Sequence, residues 1–410
     1  MNIRRGWFLA AVALAACVDG PTRASVLPVL DDVGTGNWAT VSAGQAHTCA
    51  LDLRGHAYCW GSNQFGQLGV SLADSVCGSS GAAYACSLAP VLVGGTILFQ
   101  SISAGGIHTC GISVQQQLYC WGGNTQFQLG DEIPSGPTMI QPDPFGRYLQ
   151  VSAGFQHTCA VRTDGHAVCW GSNDQGEVGD GTSGATPYPV PVSGGQLFAS
   201  LSAGQFRTCG ILRSGLMQCW GASWLYRHDG VEYTAATFTP VTVNQTPALT
   251  SLSVGTFSTC GLAGSGTAYC WEANPRGEMG DGTTDGTTVP TAVSGSVQFT
   301  QITGGQLQTC AVAVSGVGYC WGDNTFGELG LPPGSLVERC GAQQLPCATR
   351  PTAVFGEQSF ITISTGFGSH TCGVTTHHNV YCWGLGTSGQ RGDGTAGYAV
   401  SVPVKIASPE

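Results

Sequence analysis

The chain has 410 residues, 63 of them glycine, and only 9% of its side chains are charged, so turns dominate over charged surface. A hydrophobic fraction of 42% with 10 tryptophans excludes a disordered polymer. The formal net charge is -10 and the arginines are scattered singly, so no stripe could neutralise successive phosphates. This excludes nucleic acid as a partner and argues equally against acidic membrane surfaces.

In chain order, Arg4 and Arg5 precede an apolar segment from Trp7 to Ala16, and Leu14-Ala15-Ala16-Cys17 resembles the lipobox of bacterial lipoprotein signals. That resemblance implies that residues 1–16 are removed and that Cys17 is diacylated, leaving 17–36 as a lipidated tether. Val18 stands where an aspartate would favour inner-membrane retention, so the expected location is the outer membrane or cell surface. No apolar run beyond the N-terminus is long enough to cross a membrane.

Cysteine spacing exposes a repeat. Besides Cys17, 14 cysteines form seven pairs of one spacing: Cys49 with Cys59, Cys110 with Cys120, Cys159 with Cys169, Cys209 with Cys219, Cys260 with Cys270, Cys310 with Cys320, and Cys372 with Cys382. Their first members stand 61, 49, 50, 51, 50 and 62 residues apart. Each enlarged unit contains one of the remaining pairs, Cys77 with Cys86 and Cys340 with Cys347. Every unit also repeats four apolar segments, which predicts four short strands. The first runs as Trp38-Val41-Ser42-Gly44, the second carries Thr-Cys, the third Cys-Trp and usually Gly, and the fourth Pro-x-x-Val or Ile.

If the second and third strands form a hairpin, Thr163-Asp164-Gly165 becomes a three-residue loop whose glycine takes the left-handed conformation. Gly55, Gly215, Gly266 and Gly316 hold the same place. This register sets paired cysteines directly opposite each other, within disulfide range. Zinc is excluded because nine residues separate the cysteines and no second ligand pair accompanies each hairpin. Each such staple is worth about 2 to 3 kcal/mol, so the reduced chain is expected to lose its fold, and an oxidising compartment is required.

The run from Ser42-Ala43-Gly44-Gln45-Ala46-His47-Thr48 through Tyr58-Cys59-Trp60-Gly61-Ser62-Asn63 to Phe65-Gly66-Gln67-Leu68-Gly69 resembles the regulator-of-chromosome-condensation repeat. The likeness recurs from Trp38 to Ile406 and implies an all-β, seven-bladed propeller over 37–407, with four antiparallel strands and one hairpin disulfide per blade. The paired cysteines resemble an exported bacterial branch. Two departures are local: the fourth copy lacks the Gly-x-Leu-Gly ending, and the fifth has Glu272 in place of Gly. The nuclear prototype exchanges guanine nucleotide on a GTPase, an activity tied to a contact loop that no segment here matches. Secreted propeller inhibitors of β-lactamase are a nearer precedent for compartment and role.

Features common to every blade read as architecture. His47, His108, His157 and His370 share one position, taken elsewhere by Arg207, Ser258 and Gln308, and are expected to be turn residues more than a metal ring. Gln67, Glu177, Glu278, Glu328 and Gln390 share another, and Asp-Gly-Thr triplets recur at 180, 281 and 393 as ordinary turns. No catalytic constellation, metal site or cofactor motif is found, so no enzyme activity is expected. The variable segments lie between the third and fourth strands, longest at 70–89 and 331–350. Blade four there carries Trp224, Tyr226, Arg227, His228, Tyr233 and Phe238, residue types enriched at binding hot spots. The expectation is a monomeric, partner-binding receptor, adhesin or inhibitor at the cell envelope that recognises a protein. The alternative is a carbohydrate-binding or carbohydrate-active exported protein.

Overall fold

Short runs rich in β-branched and aromatic residues, punctuated by Gly, Asp and Ser, favour an antiparallel meander. The computed structural model describes residues 36–71, 74–78, 82–227, 230–244, 247–335 and 338–406, and among them each repeat closes its own sheet of sequential strands. Blade one consists of Trp38–Ala43, His47–Asp52, Ala57–Ser62 and Tyr84–Leu92. Blades two to seven begin with Phe99–Ala104, Tyr148–Ala153, Phe198–Ala203, Leu249–Val254, Phe299–Gly304 and Phe360–Thr365. Two short strands, Ser75–Cys77 and Arg339–Cys340, add a fifth strand to blades one and six.

The hairpin register is the one the spacing implied. Cys159 lies opposite Cys169, and Arg162 N–H donates to His166 O around Thr163-Asp164-Gly165, where Gly165 has φ 99°. All seven hairpin pairs form disulfides. Cys49 is bonded to Cys59, Cys110 to Cys120, Cys159 to Cys169 and Cys209 to Cys219. Cys260 is bonded to Cys270, Cys310 to Cys320 and Cys372 to Cys382. Their Cα atoms stand 4.0 to 4.1 Å apart, as directly opposed residues require. Cys77 is also bridged to Cys86, and Cys340 to Cys347, with Cα atoms 5.8 Å apart. Blades two and seven lack the turn glycine, and there Gln116 (φ 65°) and His378 (φ 59°) take the left-handed conformation instead.

First strands line the shaft and are tied in a circle by the serine that recurs near their ends. The N–H of Ala104 donates to Ser42 Oγ, Ala153 to Ser103, Ala203 to Ser152, Val254 to Ser202 and Gly304 to Ser253, each at 2.9 or 3.0 Å. Thr303 meets Thr365, and Ala43 N–H donates to Ser364 Oγ at 3.0 Å, closing the circle. Sequence alone allowed blade one to lend its first strand to blade seven. The structure decides otherwise: Trp38–Ala43 pairs with His47–Asp52, and Ala399–Lys405 pairs with Val380–Leu385. Among the described residues no strand is exchanged at the closure.

Strand alternation sorts the connections by face. Turns from first to second and from third to fourth strands emerge on one side, hereafter the loop face. Second-to-third hairpins and fourth-to-first connections emerge on the other, the hairpin face. Between blades, Trp60, Trp121, Trp170, Trp220, Trp271, Trp321 and Trp383 are buried.

Candidate functional site

Repeated polar residues are best understood from what each buried group needs. The indole N–H of Trp121 donates to Gln67 O of the preceding blade at 3.0 Å, and Thr109 Oγ1 donates to the same carbonyl. Because that hydroxyl proton is already committed, His47 Nε2 must be the donor in its 3.0 Å contact with Thr109 Oγ1. The ring is therefore the neutral Nε2–H tautomer, and burial lowers the pKa of His47, His108, His157 and His370 to about 3. His108 reaches Thr158, His157 reaches Thr208 and His370 reaches Thr48 in the same way. These histidines are latches between blades, and among the described residues no group of His, Cys, Asp or Glu is arranged to hold a metal.

The shared Gln/Glu position is also structural. Gln67 Oε1 accepts from Phe65 N–H, and Glu278 and Glu328 accept from the N–H groups of Arg276 and Phe326. Burial pushes both of these carboxyls up to about 8, with a nearby Asp323 adding to the effect. In the Asp-Gly-Thr triplets, Asp180 Oδ1 accepts from Thr182 N–H, and Asp281 and Thr283 repeat the arrangement. These are turns that hold the blade rim.

Three seams lack the histidine, and at one of them, between blades four and five, two sequence anomalies meet. Arg207, at the histidine position of blade four, pairs with Glu272, at the glycine position of blade five. Glu272 keeps the glycine-like φ of 86°, Thr259 Oγ1 donates to its Oε2 and Ser223 Oγ to its Oε1. Burial lowers Arg207 to about 10, which leaves the guanidinium charged at neutral pH. The ion pair takes over the bridging done elsewhere by imidazole.

The loop face carries what varies. Blade four extends its third and fourth strands into a two-stranded ribbon, Met217–Arg227 with Gly230–Thr242, in which Trp224 stands opposite Tyr233 and Tyr226 opposite Val231. Trp224, Tyr226, Arg227 and Tyr233 thus all belong to this ribbon. Phe238 lies half-buried near its base, against Gly176 of blade three, and His228 falls outside the described residues, as does Cys17. The braced loop of blade one leans toward blade seven, where Tyr84 Oη meets Ser388 Oγ at 2.6 Å. That of blade six is held from blade five by Arg276, whose guanidinium donates to Cys340 O at 2.6 Å.

Two features of this face were invisible in the sequence because their parts lie in different repeats. Phe155 of blade three and Phe367 of blade seven meet edge to face across the shaft, centroids 5.8 Å apart, above a void of about 140 Å³ lined by all seven first strands. Beside this plug a cavity of about 350 Å³ opens over the seam between blades seven and one. Its walls include Gln45, Gln64, Phe65, Tyr84, Gln306 and Ser388, and among the described residues no charged side chain lines it.

Comparison with known proteins agrees with this geometry. Models of the regulator of chromosome condensation (RCC1) repeat match residues 38–67, 99–128, 149–177 and 360–390, and a second matches 54–112. Rat (Rattus norvegicus) probable E3 ubiquitin-protein ligase HERC4 is 32% identical over 90 residues, 22% of this chain and only 8% of the ligase. The chain thus spans less than a tenth of that relative. Among solved structures, yeast (Saccharomyces cerevisiae) Prp20p superposes with a TM-score of 0.72 at 17% identity, covering 90% of this chain and 87% of that one. Human WBSCR16 gives 0.69 at 17% identity, covering 83% and 88%. The chain thus carries RCC1 repeats and shares the seven-bladed propeller fold of these structures.

Proposed function

We propose that this protein is an exported, lipid-anchored scaffold whose loop face binds a protein partner at the cell envelope, as a receptor, adhesin or inhibitor. The observation that carries the reading is the division of labour between a stapled, uniform ring and third-to-fourth-strand connections that vary in every blade and all emerge on one face. The blade-four ribbon is its most prominent element, and Trp224, Tyr226 and Tyr233 are its contact residues. Most carboxylates of the ring stand on this side, Asp74, Glu132, Asp174, Asp285 and Glu338 among the exposed ones, so the fitting partner presents a basic surface. Prp20p, which shares the fold, has binding properties toward Gsp1p and histones. Nine disulfides suit an extracellular or periplasmic compartment. Anchoring through Cys17 completes the reading.

Site-specific photo-crosslinking in intact cells tests it. A crosslinker at Tyr226 or Glu232 is expected to capture one discrete protein, with yield falling as salt rises, whereas one at Thr163 on the hairpin face captures none. Equal capture from both faces overturns the assignment. A second reading, glycan recognition, draws on the uncharged cavity beside the shaft, where amides, hydroxyls and the rings of Phe65 and Tyr84 suit a neutral sugar. It predicts saccharide binding abolished by Phe65→Ala and unaffected by Trp224→Ala.

A further inference from the structure

The faces of the disc differ in a way that net charge conceals. The chain enters the ring on the hairpin face, where Gly36 N–H donates to His377 O and Trp38 N–H to His378 O in the blade-seven hairpin. Cys17 and the tether precede that point. Exposed apolar side chains collect on the same face. Leu53, Val114, Leu216 and Val314 occupy hairpin tips at 48 to 67% exposure, and Phe145, in the connection entering blade three, is 93% exposed. On the loop face, outside the outer fourth strands and the ribbon, the large apolar side chains exposed to this degree among the described residues are Val76 and Tyr398. Tyr398 already packs edge to face against Phe326.

Charge follows the same division. Arg54, Arg147, Arg213 and Lys405 are exposed on the hairpin face. Of its carboxylates, Asp52 is engaged by His56 and the Arg54 N–H, and Asp143 by Arg162 and Tyr148. Among the described residues, Asp164 and Glu357 are the carboxylates left exposed there, while the other described carboxylates of the ring belong to the loop face. Among the described residues of the ring, a strongly acidic face thus stands opposite a weakly basic one.

We propose that the hairpin face docks on an anionic lipid bilayer, with Phe145 and the hairpin-tip aliphatics entering the headgroup region and the four cations lying over acidic headgroups. Apolar side chains ringed by Arg and Lys suit that interface, where the apolar tips enter the acyl boundary and the cations meet acidic headgroups. An acyl tether alone leaves orientation free. A docked hairpin face turns the disc so that the loop face and its ribbon point away from the membrane, toward a partner. The inference rests on the export reading above but not on acylation of Cys17.

The test is amide hydrogen exchange on the full chain, disulfides intact, with phosphatidylcholine vesicles containing phosphatidylglycerol. The comparison is the double variant Phe145→Asp with Val314→Asp, whose fold is checked by its disulfide map and near-UV circular dichroism. In the wild type, amides of 53–56, 143–147, 213–216 and 314–317 are expected to exchange about five-fold more slowly on vesicles, with the loop face unchanged. High salt or the double variant removes that protection. If the acylated protein floats with vesicles while these amides exchange at solution rates, the docking inference is wrong and the anchor stands. Protection in native membranes but not on pure lipid assigns the face to a protein and also overturns it. Protection in a chain whose intact mass lacks acyl groups supports the docking face and refutes the anchor.

Discussion

The seam between blades seven and one and the seam between blades four and five do the same job with different chemistry. At the first, His370 Nε2 donates to Thr48 Oγ1 at 2.8 Å, and Thr48 and Trp60 both donate to Gln390 O. At the second, Arg207 and Glu272 form a buried ion pair, and Glu272 occupies a left-handed backbone position that glycine fills in the other blades. The neutral latch carries no charge out of water. The ionic latch carries two, so each partner is tolerable only with the other. This ring shows that an imidazole and a hydroxyl can be exchanged for a charged pair if both sides change together.

The sharpest way to break the comparison is at the closing seam. Trp60→Ala removes a buried indole and the hydrogen bond to Gln390 O, and is expected to cost about 3 to 5 kcal/mol, read as a large fall in Tm with disulfides intact. Hydrogen exchange should quicken first at the blade seven and blade one edges. At the ionic seam, Glu272→Gly strands a buried guanidinium, a penalty of about 3 to 5 kcal/mol, while relieving backbone strain of about 1 to 3 kcal/mol. The net expectation is a loss of about 2 kcal/mol. Adding Arg207→His restores the neutral latch and should recover most of it. A double-mutant cycle showing simple additivity would refute the coupling of the two positions.

Much of the ring was legible in the sequence because its information is local. Cysteine spacing and the loop glycines fixed the hairpin register of Cys159 and Cys169 within one repeat. The same spacing carried over to the pairs ending at Cys120, Cys219, Cys270, Cys320 and Cys382, although the Cys120 and Cys382 hairpins have no loop glycine to mark the turn. The strand count and the face of the variable loops followed from order alone. What stayed hidden lies between repeats. Ser42 and His47 were visible as recurring residues, yet their partners Ala104 and Thr109 belong to the next blade. Arg207 and Glu272 were each visible as departures, but nothing in one dimension joins them. The Phe155–Phe367 plug crosses the ring, from blade three to blade seven, and has no repeating signal at all. The segregation of carboxylates to the loop face was likewise lost in a single net charge.

The neutral seams carry a pH signature with two opposing parts. Histidines held near pKa 3 bind protons in the unfolded chain first, so their stabilising latch is intact above the ordinary value of 6.5 and is lost as pH falls toward 3. Glu278 and Glu328, raised to about 8 from an ordinary 4.5, keep their protons in the fold, so their contribution is full below 4.5 and declines as pH rises through 8. Stability is expected to peak near pH 6.5. Glu278→Gln with Glu328→Gln, which copies Gln67 and Gln390, should raise Tm by a few degrees at pH 8 and leave it little changed at pH 4.5. A flat difference between variant and wild type across that range would show that the buried carboxyls do not titrate this way.

The smallest expected effect concerns the same backbone strain without a compensating contact. Gln116 takes φ 65° at the blade-two hairpin, where five other blades use glycine, and it is exposed, whereas Glu272 takes φ 86° and bridges a seam. Gln116→Gly relieves the left-handed strain and sacrifices no buried interaction, so it should stabilise the ring by up to about 1 kcal/mol, after the greater freedom glycine gives the unfolded chain is deducted. The same change at Glu272 is expected to destabilise. Thermal melts of the two glycine variants side by side decide the matter, because strain alone gives them the same sign and a functional latch at Glu272 gives them opposite signs.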